Sequence, residues 1–275
     1  VRPGESGGGG SYMVGGAAMA ALASLRAGAG LVKLVLPEPV LAAGLAIAAS
    51  ATGVPLSVDE HGDVIGHRAA AVIDELMGVV SCVAVGPGLG VSAGASAVVF
   101  RCCVQEAVPV VLDADALNNL SAHAEFHRDL RAPAILTPHV GEFRRLAEAV
   151  GVKADPVDES SRGVACGEVA RRLGCVVVLK SSATVVSDGL RVWVHDEPNA
   201  ALATAGTGDV LCGVIAGLVA QHFRGGLGLY ECARAGVAAH GLAARAWSER
   251  HRAHGGMLAM ELLEEVPGVV ERMRG

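Results

Sequence analysis

The stretch Asn199-Ala-Ala-Leu-Ala-Thr-Ala205-Gly206-Thr207-Gly208-Asp209-Val-Leu-Cys-Gly213-Val-Ile-Ala-Gly217-Leu-Val-Ala-Gln221 decides how the rest of this sequence is read. A loop of small residues, Ala205-Gly206-Thr207-Gly208, runs into a single acid, Asp209, and then into an apolar segment from Val210 that predicts a buried helix. Two readings are open. One is a Gly-rich turn whose acid caps the helix. The other is an anion site, in which free N–H groups and the positive dipole end of the helix face a phosphate. Glycines then let the backbone curl around the anion. Asp209 would sit where a base takes a proton from a hydroxyl attacking phosphorus.

A buried helix needs a sheet to cover, and the composition supplies one. The chain is 52% hydrophobic but only 3% aromatic, so its core is built from Ala, Val and Leu. That favours a Val-rich parallel sheet under Ala-rich helices, because strands buried on both faces read as continuous apolar runs. With 275 residues and no internal repeat or linker, one domain over 1–275 is the simplest reading. The net charge of -6 leaves no basic footprint for nucleic acid or an anionic membrane. No apolar run reaches the length of a membrane span, and the N-terminus lacks a signal-peptide pattern. Seven cysteines without a C-x-x-C pair read as reduced core thiols, which points to a cytoplasmic protein.

Outward from the central stretch, the pattern alternates. Helices are expected at Ala17–Ala29, Val40–Ser50, His67–Met77, Ala93–Glu106, from Glu142 to Val150, Val164–Leu173, Glu231–Arg250 and Met257–Arg272. Strands are expected at Leu31–Leu36, Cys82–Val85, Val108–Leu112, Ala134–Thr137 and Cys175–Lys180. Thr184–Ser187 and Leu190–His195 flank Asp188-Gly189, a hairpin signal that adds an antiparallel edge. Gly86-Pro-Gly88-Leu-Gly90 follows a strand, the place where open α/β sheets bind ligands, although a plain turn explains it too. Asp113 and Asp115 also follow a strand; they suit either a divalent ion or sugar, or a capped turn. His139 lies at the same edge, and Gly7–Gly10 reads as a leader or a ligand-approaching loop. Gly213 and Gly217, four residues apart, would let another helix come close.

Four loops in this order, Gly86-Pro-Gly-Leu-Gly90, Asp113-Ala-Asp-Ala-Leu-Asn118, Thr137-Pro-His-Val-Gly-Glu142 and Asn199…Thr-Ala-Gly-Thr-Gly-Asp209, resemble the NAD(P)H-hydrate dehydratases of the ribokinase-like superfamily. The stretch Gly16-Ala17-Ala18 … Leu25-Arg-Ala-Gly-Ala-Gly30 is similar to that family's first helix and strand. The resemblance implies a three-layer sandwich: a mostly parallel central sheet, helices on both faces and an antiparallel hairpin at one edge. It implies a lyase that repairs hydrated NADH or NADPH using ADP, or ATP as in eukaryotic members. By the same likeness Asp209 is the base, and Ala17, Gly88 or Gly90, and His139 line the substrate pocket. Lys180, Ser181, Ser182, Ala183, Thr184, Asn199, Thr207 and Gly208 hold the nucleotide, and amides from Ala205 to Gly208 form the anion hole. Glu142, with Asp113, organises magnesium through water. A homo-oligomer, often a tetramer, is implied as well. A vitamin-precursor kinase and a nucleotide-binding relative without catalysis are the competing readings. The sequence departs from the family in two places. No apolar strand precedes Gly7, and Lys180-Ser-Ser-Ala-Thr184 lacks the glycine of the family's Lys-Gly-x-x-Thr.

Overall fold

In the computed structural model the described residues are 13–153, 156 and 158–274. The Gly7–Gly10 stretch lies outside them. The first helix, α1 (Val14–Arg26), is followed by β1 (Lys33–Pro37), α2 (Glu38–Ile47) and β2 (Thr52–Leu56), with β1 and β2 paired in parallel. After α3 (Gly66–Met77) come β3 (Val83–Val85), α4 (Ala93–Cys103), β4 (Val110–Leu112), α5 (Asp115–Ser121), β5 (Ala134–Leu136), α6 (Val140–Ala149), α7 (Glu159–Leu173) and β6 (Val176–Leu179). The chain ends with β7 (Thr184–Ser187), β8 (Val192–His195), α8 (Thr207–His222), α9 (Leu229–His251) and α10 (Ala259–Arg274). Strands β3 to β6 run parallel, and β7 and β8 add antiparallel to the far edge.

Alternation along each strand divides the core. Leu112, Leu136, Val177 and Leu179 face Val98, Phe143, Leu146 and Val169 on one side. Val111, Ile135, Val176 and Val178 meet Leu211, Ile215, Val219 and Val237 on the other. Strands β4, β5 and β6 are therefore buried along their whole length, as apolar runs covered on both faces must be.

Several expectations are corrected. β2 was not expected: Thr52-Gly-Val-Pro-Leu56 carries a glycine and a proline, which strands use mainly at edges, and β2 is an edge. Asp115 opens a helix rather than extending the loop after β4. α4 stops at Cys103, and α7 begins at Glu159. The Asp188-Gly189 hairpin is longer than a two-residue turn, because Ser187 pairs with Val192 and Asp188 Oδ1 accepts the amides of Leu190 and Arg191. Among the described residues no helix is long and apolar enough to cross a membrane. All seven cysteines are free thiols.

The expected close approach to Gly213 and Gly217 is made by α1. A Cβ placed on Gly213 would lie 2.2 Å from the Ala20 carbonyl oxygen, and one on Gly217 would lie 2.7 Å from that of Ser24. Ser24 Oγ donates to Gly213 O at 2.9 Å. The two helices touch backbone to backbone, which only glycine permits. Gly213→Ala is expected to destabilise the fold by about 1–3 kcal/mol through overpacking, read as a lower urea midpoint at unchanged slope.

Candidate active site

The C-terminal ends of β3, β4, β5 and β6 converge on the start of α8, and each turn is fastened to the next. After β3, Gly86 has φ +123 and lies so close to Asp113 O that a Cβ there would fall 1.8 Å from it. Gly88, at φ +68, is held against the Met13 carbonyl just before α1. The Gly90 amide donates to Asp115 Oδ2 at 2.9 Å, and Asn119 Nδ2 donates to Gly90 O at 2.9 Å. Between the two acids Ala114 has φ 49 and ψ -117, a conformation costly for a residue with a Cβ, on the order of 1–3 kcal/mol. That kink separates the tasks of the acids. Asp113 is buried and meets Lys180 Nζ at 2.6 Å, whereas Asp115 turns to Gly90 and Asn118.

After β5, His139 caps α6. Its Nδ1 accepts the amides of Gly141 at 2.9 Å and Glu142 at 3.3 Å. The ring proton is thereby assigned to Nε2, which faces Glu142 Oε1 at 3.3 Å. Glu142 is buried and its Oε2 accepts the His139 amide at 2.8 Å, completing a capping box. Lys180 N donates to Pro138 O, which brings the end of β6 beside this turn.

Helix α8 starts on Gly206, at φ +91. The amides of Gly208 and Asp209, in its first turn, have no acceptor within the helix. The Thr207 amide is directed to Thr204 O, and its hydroxyl donates to Leu202 O and Thr204 O, so this side chain braces the loop. The buried His240 Nε2 lies 2.8 Å from Thr207 O, and burial lowers the pKa of His240 to about 4. A neutral imidazole donating through Nε2 is what the carbonyl requires. Asp209 sits beneath the start of α1, where a Cβ on Gly16 would be 3.2 Å from Oδ2. Burial, then repulsion from Asp113, raises the Asp209 pKa to about 6 against the pull of Lys180. Burial draws the Lys180 ammonium the other way, but the charges of Asp113 and Glu142 outweigh it and hold its pKa above the ordinary value.

The structure thus brings together Asp209, Gly208, Lys180, Asp113, Glu142, His139 and Gly88, with Ala17 next to Gly16 at the start of α1. The Lys180–Thr184 turn is tightly held. Ser181 Oγ donates to Ala183 O at 2.6 Å and accepts from Arg162 Nη1 at 3.2 Å, while Thr184 Oγ1 donates to Ser181 O. Ser182 is exposed there. In place of the family's glycine, then, is a serine that uses its hydroxyl to fix the turn. Asn199 caps a 3-10 turn at Ala200–Leu202 and bonds Ser248 of α9. Arg162, His240 and Met13 are contributors that sequence reading missed. A buried Arg or His inside a helix has no pattern separating it from a surface one. Among the described residues no three His, Cys, Asp or Glu side chains form a cage for a metal.

Residues 8–268 match the family described as NAD(P)H-hydrate dehydratase. A bifunctional NAD(P)H-hydrate repair enzyme of Salinibacter ruber is 36% identical over 98% of this chain, which spans 48% of that protein. The chain therefore spans about half the length of the first relatives it matches. An ADP-dependent (S)-NAD(P)H-hydrate dehydratase of Xanthomonas campestris is 35% identical over 96% of this chain and 87% of its own length. The solved ADP/ATP-dependent NAD(P)H-hydrate dehydratase of Bacillus subtilis, co-crystallised with ATP and Mg2+, superposes with a TM-score of 0.74 at 29% identity, covering 94% of this chain and 87% of that one. The arrangement of sheet and helices is the ribokinase-like one.

The raised Asp209 pKa has a consequence for stability. An unfolded Asp ionises near 3.8 and the folded one near 6, so between these values the folded state holds more protons and stability falls as pH rises. Asp209→Asn is expected to lack this loss, melting at a higher temperature than the parent at pH 8 and at a similar one below pH 4, by thermal scans across the range. The chain belongs to the NAD(P)H-hydrate dehydratase family.

Proposed function

We propose that this chain removes water from hydrated NADH or NADPH at the expense of an adenine nucleotide, with ADP, the donor in the name of the Xanthomonas campestris relative, as the phosphoryl source. The observation that carries this reading is Asp209: a carboxylate with a pKa near 6, at the amino end of a buried helix, beside Lys180 and under the backbone of Gly16. A general base works best with a pKa close to the operating pH. In the reaction Asp209 takes the proton of the ring hydroxyl as its oxygen bonds to the terminal phosphorus, and the bond from that phosphorus to the nucleotide's bridging oxygen breaks. The first-turn amides of α8 receive the charge on the transferred group. Loss of phosphate with a ring proton then restores the reduced nicotinamide, because phosphate leaves far more readily than hydroxide.

Ala17, Gly88, Gly90 and His139 form the substrate side in this proposal, and Lys180 to Thr184, with Gly208, the nucleotide side. Asn199 and Thr207 support the loop between them. Magnesium keeps several waters and binds through one or two carboxylates plus substrate phosphates. Glu142 and Asp113, whose charges both act on Lys180, would hold it through water. It would neutralise phosphate charge when bound. We place this activity in the cytoplasm, in keeping with the free thiols, and infer a homo-oligomer from the family resemblance.

Incubation with hydrated NADH, ADP and magnesium is expected to restore the absorbance of reduced nicotinamide. The rate should fall on the acidic side with a midpoint near pH 6, since the base must be ionised. Asp209→Asn is expected to lose about 10²–10⁴-fold in kcat while its affinity for ADP, measured by calorimetry, stays close to the parent's. Full activity in that variant would remove the assignment of the base.

A further inference from the structure

The peptide that joins Thr207 to Gly208 has two ends with different surroundings. It is trans, so its N–H and C=O point in opposite directions. At the amide end, Gly208 lies beside the Lys180 ammonium: a Cβ there would be 3.4 Å from Nζ. At the carbonyl end, His240 of α9 arrives from behind, with Nε2 2.8 Å from Thr207 O. His240 is the only buried histidine among the described residues. Around it α9 turns Val237, Ala239, Ala243 and Ala244 into the core, a setting that another apolar side chain would suit. Helix α8 does not require the imidazole either, since a carbonyl has two lone pairs and helical bonding uses one. Burial, assisted by the like charges of Lys180 and His195, takes the His240 pKa down to about 4. The ring is therefore a neutral donor whose proton stays on Nε2, adding no charge of its own to the site.

We propose that His240 is a positioning residue for phosphoryl transfer: by donating to Thr207 O it fixes and polarises the Thr207–Gly208 peptide, so that the Gly208 N–H at the other end is a stronger, better-aimed donor to the transferred group. The inference rests on the reaction proposed above and names what prepares its anion hole. Hydrogen bonds in a chain strengthen one another, because each draws electron density along the group they share. A donor already aimed when charge develops has no reorganisation left to undergo. The other bonds at this turn do a different task. The Thr207 amide and hydroxyl tie the loop to Leu202 O and Thr204 O, on the far side of the residue from the Gly208 peptide. His240 touches neither substrate nor nucleotide in this role, and its effect passes wholly through the peptide.

The test compares His240→Leu, which fills the space without a donor, with His240→Gln, whose side-chain amide can still reach the carbonyl. Per folded molecule, His240→Leu is expected to lose at least about tenfold in kcat. Its KM for hydrated NADH should stay within about twofold of the parent's, and His240→Gln should recover most of the lost rate. An unchanged kcat in His240→Leu, or an equal loss in His240→Gln, would overturn the proposal. A further readout needs no turnover. The Gly208 amide nitrogen signal is expected to move when ADP and magnesium bind, to lie elsewhere in His240→Leu, and to return in His240→Gln. The same Gly208 signal in parent and His240→Leu would overturn it too. If His240→Leu does not fold, the imidazole Nε2–H signal of the parent decides: coupling through the peptide makes it shift on ADP binding, and a fixed signal rules the coupling out. Failure of the parent to restore reduced nicotinamide would instead remove the reaction, while these signals still report on the peptide.

Discussion

The contact on which the site depends is made by two helices with almost no side chains between them. α1 lies on α8 so closely that the Gly213 and Gly217 positions admit no Cβ, and the Ser24 hydroxyl ties one backbone to the other. Close packing of this kind has two discrete outcomes, fit or clash, and little adjustment in between. It fixes the start of α8 against the start of α1, and so places the Asp209 carboxylate beneath Gly16. The Ala- and Gly-rich composition, unusual for a core with so few aromatic residues, is what such an approach demands.

On that frame the electrostatics follow from burial. Three carboxylates and one ammonium occupy the ends of adjoining strands and the first turn of a helix. Asp113 and Lys180 pair directly at 2.6 Å, and that pairing holds the Lys180 ammonium pKa above its ordinary value against burial. Asp209 is desolvated by burial and then repelled by Asp113, which together raise its pKa to about 6. One arrangement thus yields a fixed ion pair and a base ready to exchange a proton, a division of labour set by environment rather than residue type. The neighbouring turns are held by hydrogen bonds within the protein, from His139 to Glu142 and from Arg162 to Ser181, so little reorganisation is needed when a charged ligand arrives.

The break between β1 and β3 gives the fold an asymmetry of a different sort. Strands β4, β5 and β6 each have a neighbour on both sides, whereas β1 and β3 border an apolar gap that reaches Ala17 and Gly88.

Periodicity and turn chemistry in the sequence by themselves determined the alternating elements, the hairpin edge and the four loops at one end of the sheet, because these depend on local pattern and on glycine's freedom at positions such as Gly86 and Gly206. β2 escaped that reading, since its glycine and proline speak against a strand unless it is an edge. What only the tertiary structure decided was the use of each polar group. Asp113 and Asp115 look equivalent in the chain, yet a kink at Ala114 sends one to Lys180 and the other to Gly90. Arg162 and His240 carry no local signal and acquire their parts from residues far away in sequence. Burial, which sets the Asp209 pKa, is a property of what surrounds a side chain in space, and neighbours along the chain do not specify it.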